Sequence, residues 1–520
     1  MLKQSNQLGK ISALKEALTN TFIHQFPLQA SKLVFGNGLK NAEIITRQYL
    51  LIQFGGLTLN EAILSAEGRP GSNIMHPLPP EWRKVLEHHD FKLAKIRVAL
   101  LWNGYMVVFL AYGMLHIVKT IFQGIQEIIK PRYKNLGRYV YFEDLGPSNL
   151  PQPDNDGISY DIVSWYAQWT GRADNIETLC HSVPLVSPGT SGGLPVIAVP
   201  YAIPPINTFN SLMRYVEWGI VASIFSITDL LRGRWWHACF LREASKAAVI
   251  RLHQSHQLAR HYLFHNSGWI YRPLWTYEAE KQGSSIIFYF YSTNTEAFKR
   301  SDGYPPLPYG WQAMNWPYYL VWDEYQADFV RRAVGPNTNL SVVGSIPIQT
   351  SVKTIQKMPP RAIAVFDVQP FRNSFYQRLG IAQEYYTPRT ANQFLMDIHI
   401  ALKEYYGVMV LKRKRDIGGM LHPKYKALIG QLNSSEDFIA IDPALNATRV
   451  IEACAAVISM PFTSTALLGR ELGKPSIYYD PHGTVQKDDR AAHGIKILHG
   501  FDELIAWIST IINSDVDSSL

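Results

Sequence analysis

Residues 455–480 read AAVISMPFTSTALLGRELGKPSIYYD and carry the clearest signal of fold class in the chain. Apolar runs of strand length predict two neighbouring strands, Val457–Met460 and Ser476–Tyr479. A helix over Ser464–Leu472 is expected to begin between them, at the hydroxyl cluster Thr463–Thr465. Where a helix begins at the end of a parallel strand, free backbone N–H groups and the positive end of the helix dipole attract anions. The stretch therefore predicts a phosphate site on an α/β sheet.

The same alternation of strands and helices extends over the C-terminal part of the chain. It predicts strand Arg361–Asp367, helix Ala391–Tyr406, strand Val408–Leu411, a helix ending at Leu432, strand Phe438–Ile441 and helix Asn446–Ala455. This alternation is typical of a doubly wound parallel sheet.

Short apolar runs indicate a second sheet in the N-terminal half, at Tyr139–Gly146, Ile286–Tyr291 and Tyr318–Trp322. A proline-marked connection at about 345–360 separates the halves. The sequence therefore predicts two domains, 1–345 and 346–520, as expected for a chain too long for one core.

Composition narrows the class of protein. A net charge of +8 suits an anionic membrane surface or phosphorylated ligands. Basic residues are not clustered with aromatic ones, so no nucleic-acid partner is expected. Three widely spaced cysteines favour a reducing compartment, and the N-terminus shows no apolar signal segment. We therefore expect a cytoplasmic protein.

An uncharged apolar run covers Val98–Val118, between Arg97 and Lys119. It is long enough to cross a bilayer, but Asn103 and His116 interrupt it. Three alternatives stay open: a buried core helix, a helix lying in the plane of the membrane, and a true span.

Three segments that follow predicted strands carry candidate ligand-binding side chains. Ligands bind beyond the carboxyl ends of strands in such sheets. A charge run is usually a solvated face, and Thr463 alone could be a helix cap. No phosphate-loop or metal-binding spacing appears, so neither a cofactor nor a metal is expected. The predicted binding residues are Gln369, Arg372, Lys412, Arg413, Arg415, His422, Pro461, Thr463, Ser464 and Thr465.

Two resemblances add to this interpretation. Ser459–Thr465 resembles the signature of bacterial polysaccharide-biosynthesis proteins named for a PFTS motif, over about Arg361–Tyr479. More distantly, Leu421-His422-Pro423 together with Ser464-Thr465 resembles the HP and SS/ST motifs of bacterial sialyltransferases and Kdo transferases. Those are inverting, metal-independent GT-B enzymes that use CMP-sugars.

The second resemblance implies roles for individual residues. His422 would contact cytidine or phosphate, and Ser464 and Thr465 would bind phosphate. The catalytic base of those enzymes lies in an acidic pair followed by glycine, whereas this chain carries an extra leucine before the glycine of residues 143–146. We place Asp144 first and Glu143 second as candidate bases. For Asp323 we expect a structural role.

Together the resemblances imply a GT-B-like α/β fold, with two Rossmann-like domains facing a cleft and extra N-terminal helices. The N-terminal domain would bind a glycan or lipid-linked acceptor at the cytoplasmic face of the inner membrane. The C-terminal domain would bind a nucleotide-sugar, with CMP favoured. The product would be a surface polysaccharide such as capsule, O-antigen or lipopolysaccharide. Two alternatives stay open: a sugar-nucleotide epimerase, and a non-catalytic polysaccharide-assembly protein.

Overall fold

The computed structural model describes most of the chain as two α/β units preceded by helices. The described residues are 28–36, 38–54, 73–133, 136–151, 161–170, 175–184, 189–266, 271–307, 309–347, 355–375 and 385–517, with single positions at Leu14, Ala17, Leu18, Leu59 and Ile63.

The helices before the first strand are α1 (Leu28–Phe35), α2 (Ala42–Phe54), α3 (Pro80–His88) and α4 (Lys95–Ile129). An aromatic cluster holds them to the first unit. The ring of Trp102 packs edge-on against Phe54 and Trp235, with centroids 5.3 and 5.2 Å apart. The prediction of extra N-terminal helices is confirmed.

The first unit contains an eight-stranded sheet in the order β3-β4-β2-β1-β5-β6-β7-β8. Its strands are β1 (Tyr139–Phe142), β2 (Thr178–His181), β3 (Gly189–Ser191), β4 (Leu194–Ala198), β5 (His261–His265), β6 (Ser285–Tyr289), β7 (Tyr318–Val321) and β8 (Leu340–Val342). Only β3 runs antiparallel to its neighbour. Strand order reverses between β1 and β5, which creates a crevice at their carboxyl ends.

Helices of the first unit connect most of the strands of this sheet. They are α5 (Ile162–Thr170), α6 (Phe209–Leu231), α7 (Trp236–Arg251), α8 (Trp275–Lys281), α9 (Tyr309–Gln312) and α10 (Glu324–Val334). Among them, α7 is buried along most of its length. It separates the sheet region from α4 and α6.

The second unit contains a six-stranded, all-parallel sheet in the order β11-β10-β9-β12-β13-β14. Its strands are β9 (Ala362–Phe366), β10 (Val408–Lys412), β11 (Phe438–Ile441), β12 (Ala456–Ser459), β13 (Ser476–Asp480) and β14 (Lys496–His499). Counted within the unit this is the Rossmann order 3-2-1-4-5-6, with its crevice between β9 and β12. The predicted fold class is confirmed.

Two helices of the second unit begin at a side chain that accepts a hydrogen bond from the first turn, Thr387 and Asn446. The helices of this unit are α11 (Pro388–Glu404), α12 (Pro423–Leu432), α13 (Ala447–Glu452), α14 (Thr465–Glu471) and α15 (Gly500–Asp517), and short 3₁₀ turns occur at Pro147–Asn149, Ser255–Gln257, Gly418–Met420 and Arg490–Ala492. Thr387 caps α11 through a bond from Thr390 N, and proline occupies its first position. The same proline chemistry begins α12 after His422.

The two units pack against each other through aromatic and charged side chains. The Phe298 ring lies 4.6 Å from Phe462, centroid to centroid. Asp323 caps α10 by accepting from Gln326 N at 3.0 Å, and both its oxygens lie 2.8 Å from His493 Nδ1. Asp323 therefore has the structural role expected of it. The predicted domain boundary at 345/346 falls in the connection between β8 and β9.

The apolar run Val98–Val118 lies within α4, which extends beyond it in both directions. Among the described helices, α4 alone is long and apolar enough to cross a membrane, with a mean hydropathy of 1.7 in its most apolar window. Only 22% of that window is buried, so a buried core helix is the wrong alternative. The structure leaves an apolar outer surface on α4.

Candidate active site

Two adjacent carboxylates lie at the crevice of the first sheet. Glu143 and Asp144 follow β1 directly, and Glu143 N still donates to Leu263 O on β5 at 2.9 Å. Asp144 adopts a left-handed backbone with φ 61°, a conformation that non-glycine residues favour little and that concentrates at functional sites. His265, the last residue of β5, holds this turn with Nε2 3.3 Å from Asp144 O. The backbone of the turn that carries both carboxylates is thus held by hydrogen bonds to β5.

The environment of Glu143 makes it able to accept a proton near neutral pH. Burial, followed by the negative charge of Asp144, raises the pKa of Glu143 to about 7, and Lys246 opposes the rise. A base is most effective when its pKa is close to the working pH. This property suits Glu143 to accepting a proton, and the choice between Asp144 and Glu143 as the base stays a prediction.

Both carboxylates line a cavity of about 520 Å³ between α4, α7 and the strand ends. Its wall includes Tyr112 and Lys119 from α4, and Arg242 from α7. Ligand pockets commonly have volumes of about 300–1,000 Å³. The cavity is therefore large enough to hold a small polar molecule against Glu143.

In the second unit, two segments that are far apart in sequence lie side by side. Arg372 N donates to Met420 O at 2.9 Å, and His422 N donates to Pro370 O at 3.0 Å. This short antiparallel contact brings Gln369, Arg372 and His422 together at the carboxyl end of β9. Sequence analysis predicted all three as binding residues, and the structure places them in one group.

Three polar atoms in this group are buried and have no hydrogen-bond partner within the described part of the chain. They are Asp367 Oδ1, Gln369 Nε2 and His422 Nδ1. Such atoms are rare in proteins because each costs about 1–3 kcal/mol. Three such atoms on neighbouring segments at a Rossmann crevice could bind the polar groups of a ligand. We call Asp367, Gln369, Arg372 and His422 the β9 cluster.

Burial and neighbouring charges shift the pKa values of two side chains of the β9 cluster, Asp367 and His422. Burial raises the pKa of Asp367 to about 6, against the hydrogen bond from Tyr425 and the charge of Arg413, which lower it. Burial, Lys424 and Arg372 all lower the pKa of His422 below its usual range. His422 is therefore uncharged at neutral pH and can both donate and accept a hydrogen bond.

The hydroxyl cluster follows β12 but is already hydrogen-bonded within the protein. Thr463 Oγ1 donates to Met460 O at 2.9 Å, and Thr465 Oγ1 lies 2.9 Å from Ser459 Oγ. Ser464 Oγ accepts from Thr293 N at 2.9 Å and from Thr293 Oγ1 at 3.1 Å. The Pro461 carbonyl accepts from a tyrosine hydroxyl at 2.8 Å. The phosphate-binding role of these residues stays a prediction.

The basic segment after β10 does not act as one cluster. Lys412 is buried, its Nζ donates to Pro443 O at 3.3 Å, and burial with the charge of Lys414 lowers its pKa to about 8. Arg415 is exposed. Lys414 instead lies 5.9 Å from the ring centroid of Tyr291, which belongs to the first unit.

Tyr291 continues the contact toward the carboxylates. Its ring lies 5.9 Å from that of His265, and its backbone N donates to Asn266 Oδ1 at 3.1 Å. Residues following β5, β6, β10 and β12 therefore meet at the boundary between the units. The carboxyl ends of both sheets face this boundary.

A comparison with protein families matches residues 219–508 to the model described as "Polysaccharide biosynthesis PFTS motif protein". The chain belongs to this family. The matched region contains the whole second sheet and the PFTS residues, Pro461 to Ser464. No protein with a curated description matches the chain.

Solved structures resemble this PFTS motif protein at low identity. The wall teichoic acid polymerase TagF shares 12% identity at a TM-score of 0.38, with 79% of this chain and 93% of that one covered. The UDP-GlcNAc 2-epimerase from Methanocaldococcus jannaschii shares 9% identity at a TM-score of 0.35, with 72% of this chain and 92% of that one covered. A sucrose-phosphate synthase from Thermosynechococcus elongatus shares 10% identity at a TM-score of 0.35, with 72% of this chain and 90% of that one covered. The assignment to polysaccharide biosynthesis rests on the family.

Sequence analysis of this PFTS motif protein missed four residues at the unit boundary and the β9 cluster: His265, Tyr291, Asp367 and Tyr425. β5 was not recognised as a strand because histidines at both of its ends leave only three apolar or aromatic residues between them. Tyr425 lies on α12, and its hydroxyl donates to Asp367. Their position in the sequence could have indicated two of these residues, because His265 and Asp367 lie at the ends of strands beside a crevice.

Proposed function

We propose that this PFTS motif protein is a glycosyltransferase in surface polysaccharide biosynthesis. The second unit binds a nucleotide-sugar at the β9 cluster, and the first unit binds the acceptor in the cavity beside Glu143. The observation that carries the proposal is the meeting of two Rossmann crevices at one boundary. One crevice presents a carboxylate with a pKa of about 7, and the other presents unpartnered buried polar atoms.

The proposed reaction is a direct displacement that inverts the sugar's anomeric centre. An acceptor hydroxyl oxygen forms the new bond to the anomeric carbon, and its proton passes to the Glu143 carboxylate. The bond between that carbon and the nucleotide's phosphate oxygen breaks, and the oxygen keeps the electron pair. Arg372, with N–H and hydroxyl groups of Thr463–Thr465, would stabilise the charge on the leaving phosphate. Independence from metals and cofactors is part of the proposal.

Among donors we favour a CMP-sugar. The support is the likeness of Leu421-His422-Pro423 to the HP motif, together with the position of His422 in the β9 cluster. The uncharged imidazole can bond a cytosine edge or a ribose hydroxyl.

We further propose that the protein acts at the cytoplasmic face of the inner membrane, on capsule, O-antigen or lipopolysaccharide precursors. The support is the exposed apolar surface of α4 and α6. Exposed side chains include Leu100, Leu115 and Phe122 on α4, and Val221 and Ile224 on α6. Apolar patches of this extent on a protein surface mark sites of membrane or protein contact.

Nucleotide binding is tested by thermal unfolding of the purified chain with CMP, UDP or GDP. We expect CMP to raise Tm most, and Q369A and R372Q to reduce the rise. The matched control is R389Q, which removes an exposed arginine at the start of α11 in the same unit. If no nucleotide raises Tm, or if all three variants respond as the parent does, the proposed donor site is wrong.

Turnover is tested by screening CMP-, UDP- and GDP-sugars for nucleotide release in the presence of acceptor. We expect E143Q to keep nucleotide binding but to lose about 10²–10⁴-fold in rate, the usual contribution of a general base. Conversion of a UDP-sugar to its epimer without acceptor would instead identify an epimerase. Restoration of polysaccharide by E143Q and D144N in cells lacking the parent protein would identify a non-catalytic assembly role.

A further inference from the structure

The cavity beside Glu143 opens at the edge of an apolar surface. α4 contributes one face to its lining, Phe109, Tyr112, His116, Lys119, Thr120 and Gln123. Two of these, Tyr112 and Lys119, are exposed, and the exposed apolar residues Leu115 and Val118 lie within one turn of them on α4. A ligand can therefore occupy the cavity and the outer surface of α4 at once.

Two cations in the cavity lack an acidic partner among the described residues. Lys246 is paired with Glu243 at 2.8 Å, whereas Lys119 and Arg242 each lie over a tyrosine ring, 5.6 Å from Tyr201 and 4.8 Å from Tyr112. Arg242 Nε is buried without a hydrogen-bond partner in the described structure. Among the described residues that line the cavity, the remaining acids are Glu143 and Asp144. Lys119 and Arg242 can therefore bind an anion in this cavity.

The outer surface that adjoins the cavity is apolar along two helices. We call the exposed apolar side chains of α4 and α6 the apolar face; on α4 they run from Ile96 to Ile129. At about 1.5 Å per residue, α4 is about 52 Å long, which exceeds the bilayer core of about 30 Å. Contacts of α4 with α7, from Trp102–Trp235 to His116–Ser245, bind one side of it to the protein. This arrangement suits a helix lying in the membrane plane.

Charge at the borders of the apolar face favours an anionic lipid over a second protein. Over the fully described lengths of α4 and α6, Glu217 is the only exposed acidic residue. Exposed cations border the face at Lys95, Arg97, Lys130, Arg132, Arg214, Arg232 and Arg234. Basic residues around an apolar helical surface bind anionic lipid headgroups.

We infer that the acceptor is carried on a long-chain lipid phosphate. Its apolar chain stays in the membrane against the apolar face, its phosphate lies between Lys119 and Arg242, and the sugar attached to it reaches Glu143. The inference rests on the proposed glycosyltransferase function and specifies its acceptor. It also gives a role to both the cations and the carboxylates that line the cavity.

The test is cosedimentation of the full-length protein with phosphatidylcholine vesicles, with and without a polyprenyl phosphate. We expect the lipid phosphate to increase the affinity for vesicles. K119Q and R242Q should each weaken the binding to lipid-phosphate vesicles by roughly tenfold or more, the loss expected for one charged hydrogen bond. The matched control K403Q removes an exposed lysine from the second unit and should bind as the parent does. Circular dichroism verifies that the variants fold.

Other outcomes would overturn the inference. Equal binding to vesicles with and without the lipid phosphate would leave only general membrane adsorption. Full competition by inorganic phosphate would indicate a free-phosphate site. Self-association without vesicle binding would identify the apolar face as a dimer contact. A protein that binds CMP but not the lipid phosphate would disprove this acceptor and leave the glycosyltransferase proposal standing; failure to bind any nucleotide would disprove the latter.

Discussion

Replacing Glu143 with glutamine should make the protein more stable above neutral pH while disabling it as an enzyme. Burial and Asp144 raise the pKa of Glu143 from 4.5 to about 7. The folded chain therefore holds this proton more tightly than the unfolded chain does. Stability contributed by the protonated carboxyl is present below pH 4.5, is lost as pH rises toward 7, and stays lost above. Glutamine does not titrate, so E143Q avoids this loss.

The shift sets the size of the effect. At 1.36 kcal/mol per pKa unit, the rise corresponds to an upper bound of about 3 kcal/mol. Because Glu143 is only half-buried and solvent weakens its interactions, we expect a gain of about 1–2 kcal/mol at pH 8. Most of this gain should vanish by pH 5, where the folded parent protein carries the carboxyl protonated.

The assay is thermal unfolding of the parent protein, E143Q and E404Q at pH 5 and pH 8. Glu404 is exposed near the end of α11 and serves as the matched control, with no expected change in Tm at either pH. E143Q should exceed the parent in Tm at pH 8 by clearly more than at pH 5. An equal difference at both pH values, or none at pH 8, would refute the raised pKa and with it the argument for Glu143 as the base.

Two further predictions address the same site and its support. D144N removes the negative charge that helps to raise the pKa of Glu143, so the rise of kcat/KM with pH should move to lower pH. The measurement is a pH–rate profile of D144N compared with that of the parent protein. An unmoved profile would exclude Glu143 as the titrating base. G113A places a Cβ 2.8 Å from the Cβ of Leu241 and should lower the free energy of unfolding by about 1–3 kcal/mol through overpacking. At Gly104 an added Cβ meets nothing within 4 Å, so the control G104A should be neutral or stabilising. Thermal unfolding of both variants tests this, and equal Tm values would contradict the close contact of α4 and α7.

The second sheet was predictable from sequence because its strands are short apolar runs bounded by turn and cap residues. Strand Phe438–Ile441 was predicted with its observed bounds, and the others to within a residue or so. β14, at Lys496–His499, was missed because lysine and histidine enclose only two apolar residues. In the first unit, β2 and β5 were missed for the same reason, since histidine ends or encloses them.

The grouping of side chains was less predictable than the strands. Sequence placed Gln369, Arg372 and His422 near one sheet edge, and the antiparallel contact between their segments brings them together. It also treated the cations after β10 as one set, although the strand buries Lys412 and sends Lys414 toward the other unit. Nor could it show that the cavity adjoins Glu143, because that depends on how α4 and α7 pack.

The hydroxyl of Ser464 has a consequence for how substrates influence one another. It accepts two hydrogen bonds from Thr293 and lies 3.4 Å from Asn294 Oδ1, to which it donates. Its single proton and two lone pairs are thereby occupied. Any donor phosphate that recruits this hydroxyl must first detach it from the loop after β6, which belongs to the first unit. An acceptor that orders this loop would then be thermodynamically linked to the donor, each changing the other's affinity by the same factor.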